Sequence, residues 1–532
     1  MKSLLLAIAV LGLGVLPNYG QVSVTTSRND NNRDGQDLNE TILTPDNVNV
    51  NQFGKLFSQP VDGYVYGQPL YVPDVTIDGT EHNVVFVATE HDSVYAFDAD
   101  SNSGQNASPL WHRSFINPKK GITTVSSSEQ NCTDVWPEIG ITSTPVIDAN
   151  SGTLYVLAKT VENGVYRQRL HALDITTGKD ETGSPKIVAA KVPGTGEGSV
   201  NGTLSFDPYN EAQRPGLLLQ NGTVYIGWAS YCDHDPWHGW VMGYNEGTLK
   251  QTMVWSSTPN GGRGGVWQAG TGLAGDGTDV FFSTGNGTFD ANVSGQIDYG
   301  DTVTKLKPTG KPAKVLDYFT PYNQNGLSNS DKDLGSGGNL LLPDQVGGPH
   351  EHLLIAVGKE GSIYLLDRDN MGHFHAKNNS QIVQDLENAI GGMWATAGWW
   401  NNNVYFGGSK DYMRQYTFDP ATGLLSTSAA SMTPTTFGFP GPTPSISANG
   451  TSDAIVWALE KDAPQLKVPG TLHAYDATNL ANELYNTDQN NARDNPGDAV
   501  KFAIPTVANG KVYVGAVKQL SVYGLLGDHG RK

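Results

Sequence analysis

Short runs of apolar and β-branched residues recur along the chain, separated by turns rich in glycine, asparagine and aspartate. Examples are VVFVAT (84–89), TLYVLAK (153–159) and KVYVGAV (511–517). Most are followed by a turn and a second apolar run that often ends in aspartate, as in LHALDITTG (170–178). Apolar runs of about four to eight residues between turn signals predict β-strands rather than helices.

The paired runs recur eight times, at intervals of roughly 45 to 70 residues. Strand repeats of this length are typical of β-propellers, in which each sheet buries both faces against its neighbours. We therefore predict an all-β fold: an eight-bladed β-propeller of four-stranded antiparallel blades over residues 51–526. The last unit lacks an outer strand, and GKLFSQPV (54–61) resembles the outer strands of other units. An N-terminal strand is therefore predicted to close the ring.

The segments outside the repeats predict export. Residues 1–20 have a basic start and a short apolar run, which indicates a signal peptide. That run is too short to span a bilayer comfortably, and no later apolar stretch is long enough. We expect a monomer that is secreted, or periplasmic if the host is a Gram-negative bacterium. Residues 21–50 are predicted to form an N-terminal extended arm laid on the propeller, and residues 527–532 a disordered C-terminal tail.

Charge and cysteine content narrow the function further. The net charge of −19 opposes binding to nucleic acids and to anionic membranes. The chain has two cysteines, and in an exported protein these favour a Cys132–Cys232 disulfide over two separate buried thiols. Both cysteines fall in long loops predicted to crowd one face of the propeller, where a binding site is expected. Nine N-x-S/T sequons predict a glycoprotein if the host is a eukaryote.

The stretch FFSTGNGTFD (281–290) contains the most informative single residue, Asn286. Two strand-forming phenylalanines lead into glycines that flank this asparagine. Asn286 has three interpretations: a left-handed turn residue, a glycosylated asparagine, since it lies in a sequon, or a ligand for a metal ion.

The segment GGVWQAGTGLAGDGTDVFFSTGNG (264–287) resembles the quinoprotein alcohol dehydrogenases, an eight-bladed family that binds pyrroloquinoline quinone (PQQ) and usually calcium. The resemblance implies that Trp267 forms the floor under the quinone and that Asn286 ligates Ca²⁺. Both roles suit the chemistry, because a flat aromatic cofactor gains from stacking on an indole ring. An asparagine side chain also supplies the neutral oxygen that a hard cation accepts.

Two later segments extend the resemblance. DKDLGSGGN (331–339) is similar to the family segment that carries the catalytic aspartate, and VGKEGSIYLLDRDNMG (357–372) is similar to the family pattern around a basic residue near the quinone oxygens. The resemblance implies that Asp333 is the general base and also a metal ligand. It also implies that Lys359 contacts the quinone and stabilises developing negative charge.

The sequence departs from the family at two places and lacks a haem-binding CxxCH motif. Cys132 has no adjacent cysteine, whereas the family has a neighbouring pair. YCDHDPWHGW (231–240) stands where the family has a calcium-binding glutamate, and Asp233 or Asp235 could supply the ligand there. We take Asp235 as the predicted ligand.

These features leave two functional hypotheses. One is a PQQ- and Ca²⁺-dependent dehydrogenase of small alcohols or carbohydrates. The other is a non-catalytic secreted propeller that binds carbohydrate or protein through its loop-rich face. On the first hypothesis the catalytic residues are Asp333 and Lys359, and the cofactor is held by Trp267, Asn286 and Lys359.

Overall fold

The computed structural model describes residues 21–462 and 468–527. The predicted signal peptide (1–20) and all but the first residue of the predicted tail lie outside the described residues. The chain is mostly β, with 45% of residues in strands and 5% in helices, which confirms the predicted all-β class. In the described ranges, no helix is long and apolar enough to cross a membrane.

The main strands form successive antiparallel groups, most of them runs of neighbours in sequence. The first groups consist of Leu70–Ile77, Thr80–Thr89, Ser93–Asp98 and Trp111–Ser114; Val146–Asp148, Thr153–Glu162, Val165–Asp174 and Lys186–Ile187; Leu218–Gln220, Thr223–Ser230, Trp240–Asn245 and Gln251–Ser256; and Ala274–Gly275, Val280–Ser283, Val303–Gly310 and Ala313–Thr320. The later groups consist of Asn339–Leu341, Leu353–Val357, Ile363–Asp367 and Gln384–Leu386; Gly398–Trp400, Asn403–Gly407, Asp411–Asp419, Leu424–Leu425 and Ser431–Phe437; Ser445–Asn449, Ser452–Glu460, Thr471–Asp476 and Glu483–Asn486; and Thr506–Ala508, Lys511–Leu525 and Phe53–Tyr64.

The remaining elements are short and lie in the connections. The short strands are Gln36–Asp37, Ile122–Thr123, Val125–Ser126, Glu138–Ile139, Lys191–Pro193, Thr203–Ser205, Glu211–Ala212 and His373–Phe374. The α-helices are Gln324–Asn329 and Asn491–Asp494, and the 3₁₀ turns are Gly104–Ala107, Pro118–Lys120, Leu334–Ser336 and Thr487–Asn490.

The first long strand of the chain pairs with the last. Phe53–Tyr64 runs antiparallel to Lys511–Leu525, with Phe53 opposite Leu525 and Tyr64 opposite Val517. This pairing joins the two ends of the described chain. The number of eight blades and the closure of a complete ring stay predictions.

Apolar cores lie between neighbouring strand groups. Successive residues of a strand point to opposite faces of its sheet, so one strand feeds two cores. Val156 packs in the core that contains Phe86 of the preceding group, and Leu157 packs in the core that contains Ile226 of the following group. Because both faces of these sheets are covered, the strands read as continuous apolar runs rather than as strict alternation.

The N-terminal arm runs across the strand groups, and its segments 26–28 and 33–35 are buried among them. Its residues pass the first strands of the groups in chain order and exchange backbone hydrogen bonds of 2.8–2.9 Å with them. These bonds join Val24 to Tyr71, Thr25 to Ile147, Asn31 to Gly275, Asn32 to Leu341, Asp34 to Trp399 and Gly35 to Ile446. The arm therefore links most of the strand groups to one another.

Two fully buried arginines anchor the arm. The guanidinium group of Arg33 donates to the carbonyl oxygens of Leu273 at 2.7 Å and Ser27 at 2.6 Å. The guanidinium group of Arg28 donates to the carbonyl oxygens of Ala397 at 3.0 Å and Pro444. Burial lowers the pKa of both arginines to about 10, against the opposing effect of nearby arm aspartates, so both stay charged at neutral pH.

Candidate functional site

A cavity of about 410 Å³ opens on the face where the sequence predicted a binding site. Its lining comes from turns after the second strand of a group and from connections between groups. Three of the residues predicted from the sequence, Trp267, Asp333 and Lys359, line it together. These residues are separated by up to 92 positions in sequence, so the fold brings them into one site.

Trp267 is half-buried and fixed in position by its neighbours. The Trp237 and Trp267 rings form a T-shaped pair, with the two centroids 5.1 Å apart and the planes at 72°. Gly285 also lies against the Trp267 ring. A Cβ atom at this position would collide with both that ring and Asp333 Oδ1. Gly285 in the TGNG turn is thus explained by the close approach of the tryptophan and the aspartate.

The predicted Cys132–Cys232 disulfide is confirmed. The two Cα atoms are 5.6 Å apart, and the bond spans 100 residues of sequence. Cys232 lines the same cavity as Trp267. A disulfide therefore borders the site here, although its cysteines are not adjacent in sequence.

Asn286 lies against two aspartates and is only 4% exposed. Its backbone N–H donates to Asp333 Oδ1 at 2.6 Å, and its side-chain Nδ2 donates to Asp331 Oδ1 at 2.9 Å. Its side-chain Oδ1 is buried and accepts no hydrogen bond from any residue in the described ranges. This burial leaves no room for an oligosaccharide, so the sequon is not a usable glycosylation site in the folded protein.

Lys359 bridges the same two aspartates. Its ammonium nitrogen is 2.5 Å from Asp333 Oδ2 and 2.8 Å from Asp331 Oδ1. The Asp333 side chain is 3% exposed and that of Asp331 is 68% exposed. Burial acts to lower the pKa of Lys359, but the two carboxylates outweigh it and raise that pKa above its usual value. Lys359 is therefore positively charged at neutral pH.

Buried carboxylates extend the acidic cluster behind Asp333. Burial raises the pKa of Asp333, opposed mainly by Lys359. Asp301 is fully buried, and burial followed by the charge of Asp333 raises its pKa well above the usual value. Its Oδ1 accepts the backbone N–H of Leu334 at 3.1 Å, so Asp301 holds the turn that carries Asp333. No local motif distinguishes Asp301 in the sequence.

Asp235 pairs with an arginine rather than with the other predicted site residues. Its carboxylate forms a bidentate ion pair with Arg263, at 3.1 and 2.7 Å, and lies outside the cavity lining. Asp233 lines the cavity instead, and burial raises the pKa of its carboxyl group. The two residues are alternative choices within one irregular loop, where no periodic pattern sets which side chain turns inward.

The donor set of the acidic cluster suits a hard cation. Asn286 Oδ1 and the carboxylates of Asp331 and Asp333, which both accept hydrogen bonds from Asn286, offer only oxygen atoms, which are the ligands that Ca²⁺ prefers. The unpaired, buried Oδ1 of Asn286 is costly without a donor or a cation beside it. These residues therefore fit the metal ion implied by the sequence resemblance.

Solved structures identify the fold. The chain is similar to a quinohemoprotein alcohol dehydrogenase of Comamonas testosteroni, with a TM-score of 0.60, 14% identity, and coverage of 97% of this chain and 82% of the other. A quinohemoprotein alcohol dehydrogenase of Pseudomonas putida HK5 gives a TM-score of 0.58, 14% identity and coverage of 96% and 81%. A europium-containing methanol dehydrogenase gives a TM-score of 0.57, 14% identity and coverage of 94% and 98%.

Comparison by sequence does not assign the chain to a family. No protein-family model matches the chain, and no curated protein matches it. The structural likeness shows that the chain has a propeller fold like that of the quinoprotein alcohol dehydrogenases, which confirms the resemblance read from the sequence.

Proposed function

We propose that this protein is an exported, PQQ- and metal-dependent dehydrogenase of alcohols or sugars, built on an eight-bladed propeller that the N-terminal strand closes. The observation that carries this proposal is the buried, unpaired Oδ1 of Asn286, which lies against Asp331 and Asp333 beside Trp267. The structural neighbours, two quinohemoprotein alcohol dehydrogenases and a europium-containing methanol dehydrogenase, support it.

The cavity residues divide into those that hold the cofactors and those that move a proton. When bound, PQQ would accept the electrons removed from the alcohol, and the metal ion would act as a Lewis acid. Trp267 offers an indole face on which a planar ring system stacks. Lys359 would place its positive charge beside the bound quinone, where it would stabilise the negative charge that develops during oxidation.

Asp333 and Asp331 differ in their exposure to the cavity, and so in the groups that they can contact. Asp333 is buried, with one oxygen held by a backbone N–H and the other by Lys359, so it suits a metal ligand. Asp331 is largely exposed and lines the cavity, so its carboxylate can contact a substrate hydroxyl group. We therefore assign the metal to Asn286 and Asp333, with Asp233, which lines the same cavity, as a further proposed ligand. We assign removal of the hydroxyl proton to Asp331 rather than to Asp333.

Metal binding is tested by titrating the mature protein with Eu³⁺ and following its luminescence, then displacing it with Ca²⁺. Asn286→Ala is expected to weaken Eu³⁺ binding by about 10–100-fold, because it removes the unpaired oxygen of the site. Lys359→Met is expected to tighten binding by about tenfold, because the ammonium group competes with the metal for two carboxylates. Opposite effects of two neighbouring substitutions distinguish a metal site from general damage to the fold.

The control variant is Asp235→Asn, which removes a carboxylate in the same loop but outside the cavity. Its Eu³⁺ affinity is expected to equal that of the unmodified protein. Equal affinities for the unmodified protein, Asn286→Ala and Lys359→Met would contradict the metal site.

One observation favours the second candidate function, a non-catalytic propeller that binds carbohydrate or protein. Lys359 forms ion pairs with both Asp331 and Asp333, so the cluster is partly neutralised without a metal ion. If the folded protein binds neither Eu³⁺ nor PQQ but binds a glycan array, this second function replaces the first.

A further inference from the structure

A second cavity, of about 520 Å³, lies between the fourth and fifth strand groups. Much of its lining comes from residues within 276–279 and 342–352, which connect the first and second strands of these groups, and from residues 368–369 after a third strand. The cavity lined by Trp267 is built from turns after second strands and from connections between groups. Because neighbouring strands run antiparallel, these two kinds of turn lie at opposite ends of a group. The two cavities share no lining residue, so the second one is a separate site.

Arg368 lines the second cavity, although its side chain is only 6% exposed. Its terminal nitrogens lie 3.4 Å from Asp276 Oδ2, 3.4 Å from Asp344 Oδ1 and 3.5 Å from the carbonyl oxygen of Leu342. Its Nε donates to no residue in the described ranges. Hydrogen bonds between charged groups are usually about 2.7–2.9 Å long, so these contacts are weak. A buried guanidinium group with five donors therefore keeps the capacity to bind a ligand in this cavity.

The other charged side chains of the second cavity are paired with one another. Lys305 Nζ lies 3.6 Å from Asp279 Oδ2, and His352 Nδ1 lies 2.8 Å from Asp369 Oδ2. Counting Arg368, the lining holds three basic side chains and four carboxylates. Nearly every charge thus has an opposite partner, so the cavity offers many donors and acceptors with little net charge. Such a lining suits a neutral polar ligand better than an ion.

We propose that the second cavity binds a saccharide, whose hydroxyl groups donate to its carboxylates and accept from Arg368. Each hydroxyl group of a sugar both donates and accepts, so neighbouring hydroxyls match carboxylate and guanidinium groups that lie side by side. Leu342 and Pro343 add apolar side chains to the lining, on which the C–H face of a sugar ring can pack. This inference does not depend on the proposed dehydrogenase function, because the two cavities are separate.

The test is calorimetric titration of the mature protein with five methyl glycosides, those of glucose, galactose, mannose, xylose and N-acetylglucosamine. At least one is expected to bind. Asp344→Ala is expected to weaken that binding by about 10–100-fold, because it removes a charged acceptor. The Asp344 side chain is 60% exposed, so this variant is expected to fold. Arg368→Lys is expected to act in the same direction, because an ammonium group does not present two parallel donors.

The matched control is Glu351→Ala, which removes an exposed carboxylate from the same turn as Asp344 but outside the lining of the second cavity. Its affinity for the glycoside is expected to equal that of the unmodified protein. Failure of all five glycosides to bind the folded protein would overturn the saccharide site. Binding that is unchanged in both Asp344→Ala and Arg368→Lys would overturn it as well, because the sugar would then occupy another part of the molecule.

Discussion

Replacing Asp331 by asparagine is expected to lower the turnover rate of the PQQ- and metal-loaded protein by about 10²–10⁴-fold, the usual contribution of a general base. The asparagine keeps an oxygen that can accept from Asn286 and Lys359, so the site should stay assembled. It cannot take up a proton from a substrate hydroxyl group. Dye-linked initial rates with a panel of alcohols and sugars measure the loss, and Eu³⁺ luminescence shows whether the metal site is retained.

A matched control separates this effect from a change in surface charge. Asp369 has a side chain 61% exposed and does not line the Trp267 cavity, so Asp369→Asn is expected to keep the full rate. Full activity in Asp331→Asn would contradict its assignment as the base. If Asp333→Asn instead lost the rate and kept the metal, Asp333 would be the general base, as the sequence resemblance implied.

Replacing Arg33 by methionine is expected to lower the free energy of unfolding by about 3–5 kcal/mol, the range for removing a buried, bonded charge. The substitution leaves the carbonyl oxygens of Leu273 and Ser27 without their donor in a buried region. It also weakens the arm that links the strand groups through backbone hydrogen bonds. Urea unfolding of the mature protein, followed by tryptophan fluorescence, measures the change.

The comparison variant for this experiment is Arg167→Met, because Arg167 lies on an outward-facing, half-exposed position of its strand. Its effect is expected to stay within about 0.5 kcal/mol, as is usual for surface substitutions. An unfolding midpoint for Arg33→Met equal to that of the unmodified protein would show that the buried arm does not contribute to stability.

The strands could be predicted because their sequence patterns are local. The disulfide could be predicted because the chain has only two cysteines. The apolar runs, their turn residues and a single pair of cysteines leave little choice of structure. The arm could not be placed in the same way. Its polar sequence has no repeat, and its burial depends on Arg28 and Arg33 meeting carbonyl oxygens of strand groups far away in sequence.

Only part of the candidate site could be predicted, because some of its residues lie in recognisable segments and others do not. Trp267 and Lys359 lie in segments that resemble a known family, and the fold brings them into one cavity. Asp233 and Asp235 lie in one irregular loop, where no periodic pattern determines which side chain faces the cavity. Arg214 and Lys501 also line this cavity, but they belong to no motif, so no sequence pattern marks them as cavity residues.

On the proposed function, the cavity holds a quinone on Trp267 next to a metal bound by Asn286. The most direct measurement is titration of the mature protein with PQQ in excess Ca²⁺, followed by tryptophan fluorescence and compared with Asn286→Ala. Saturable quenching in the unmodified protein that is weakened or lost in Asn286→Ala is the predicted result. No quenching in a folded sample would contradict the claim and remove the quinone mechanism.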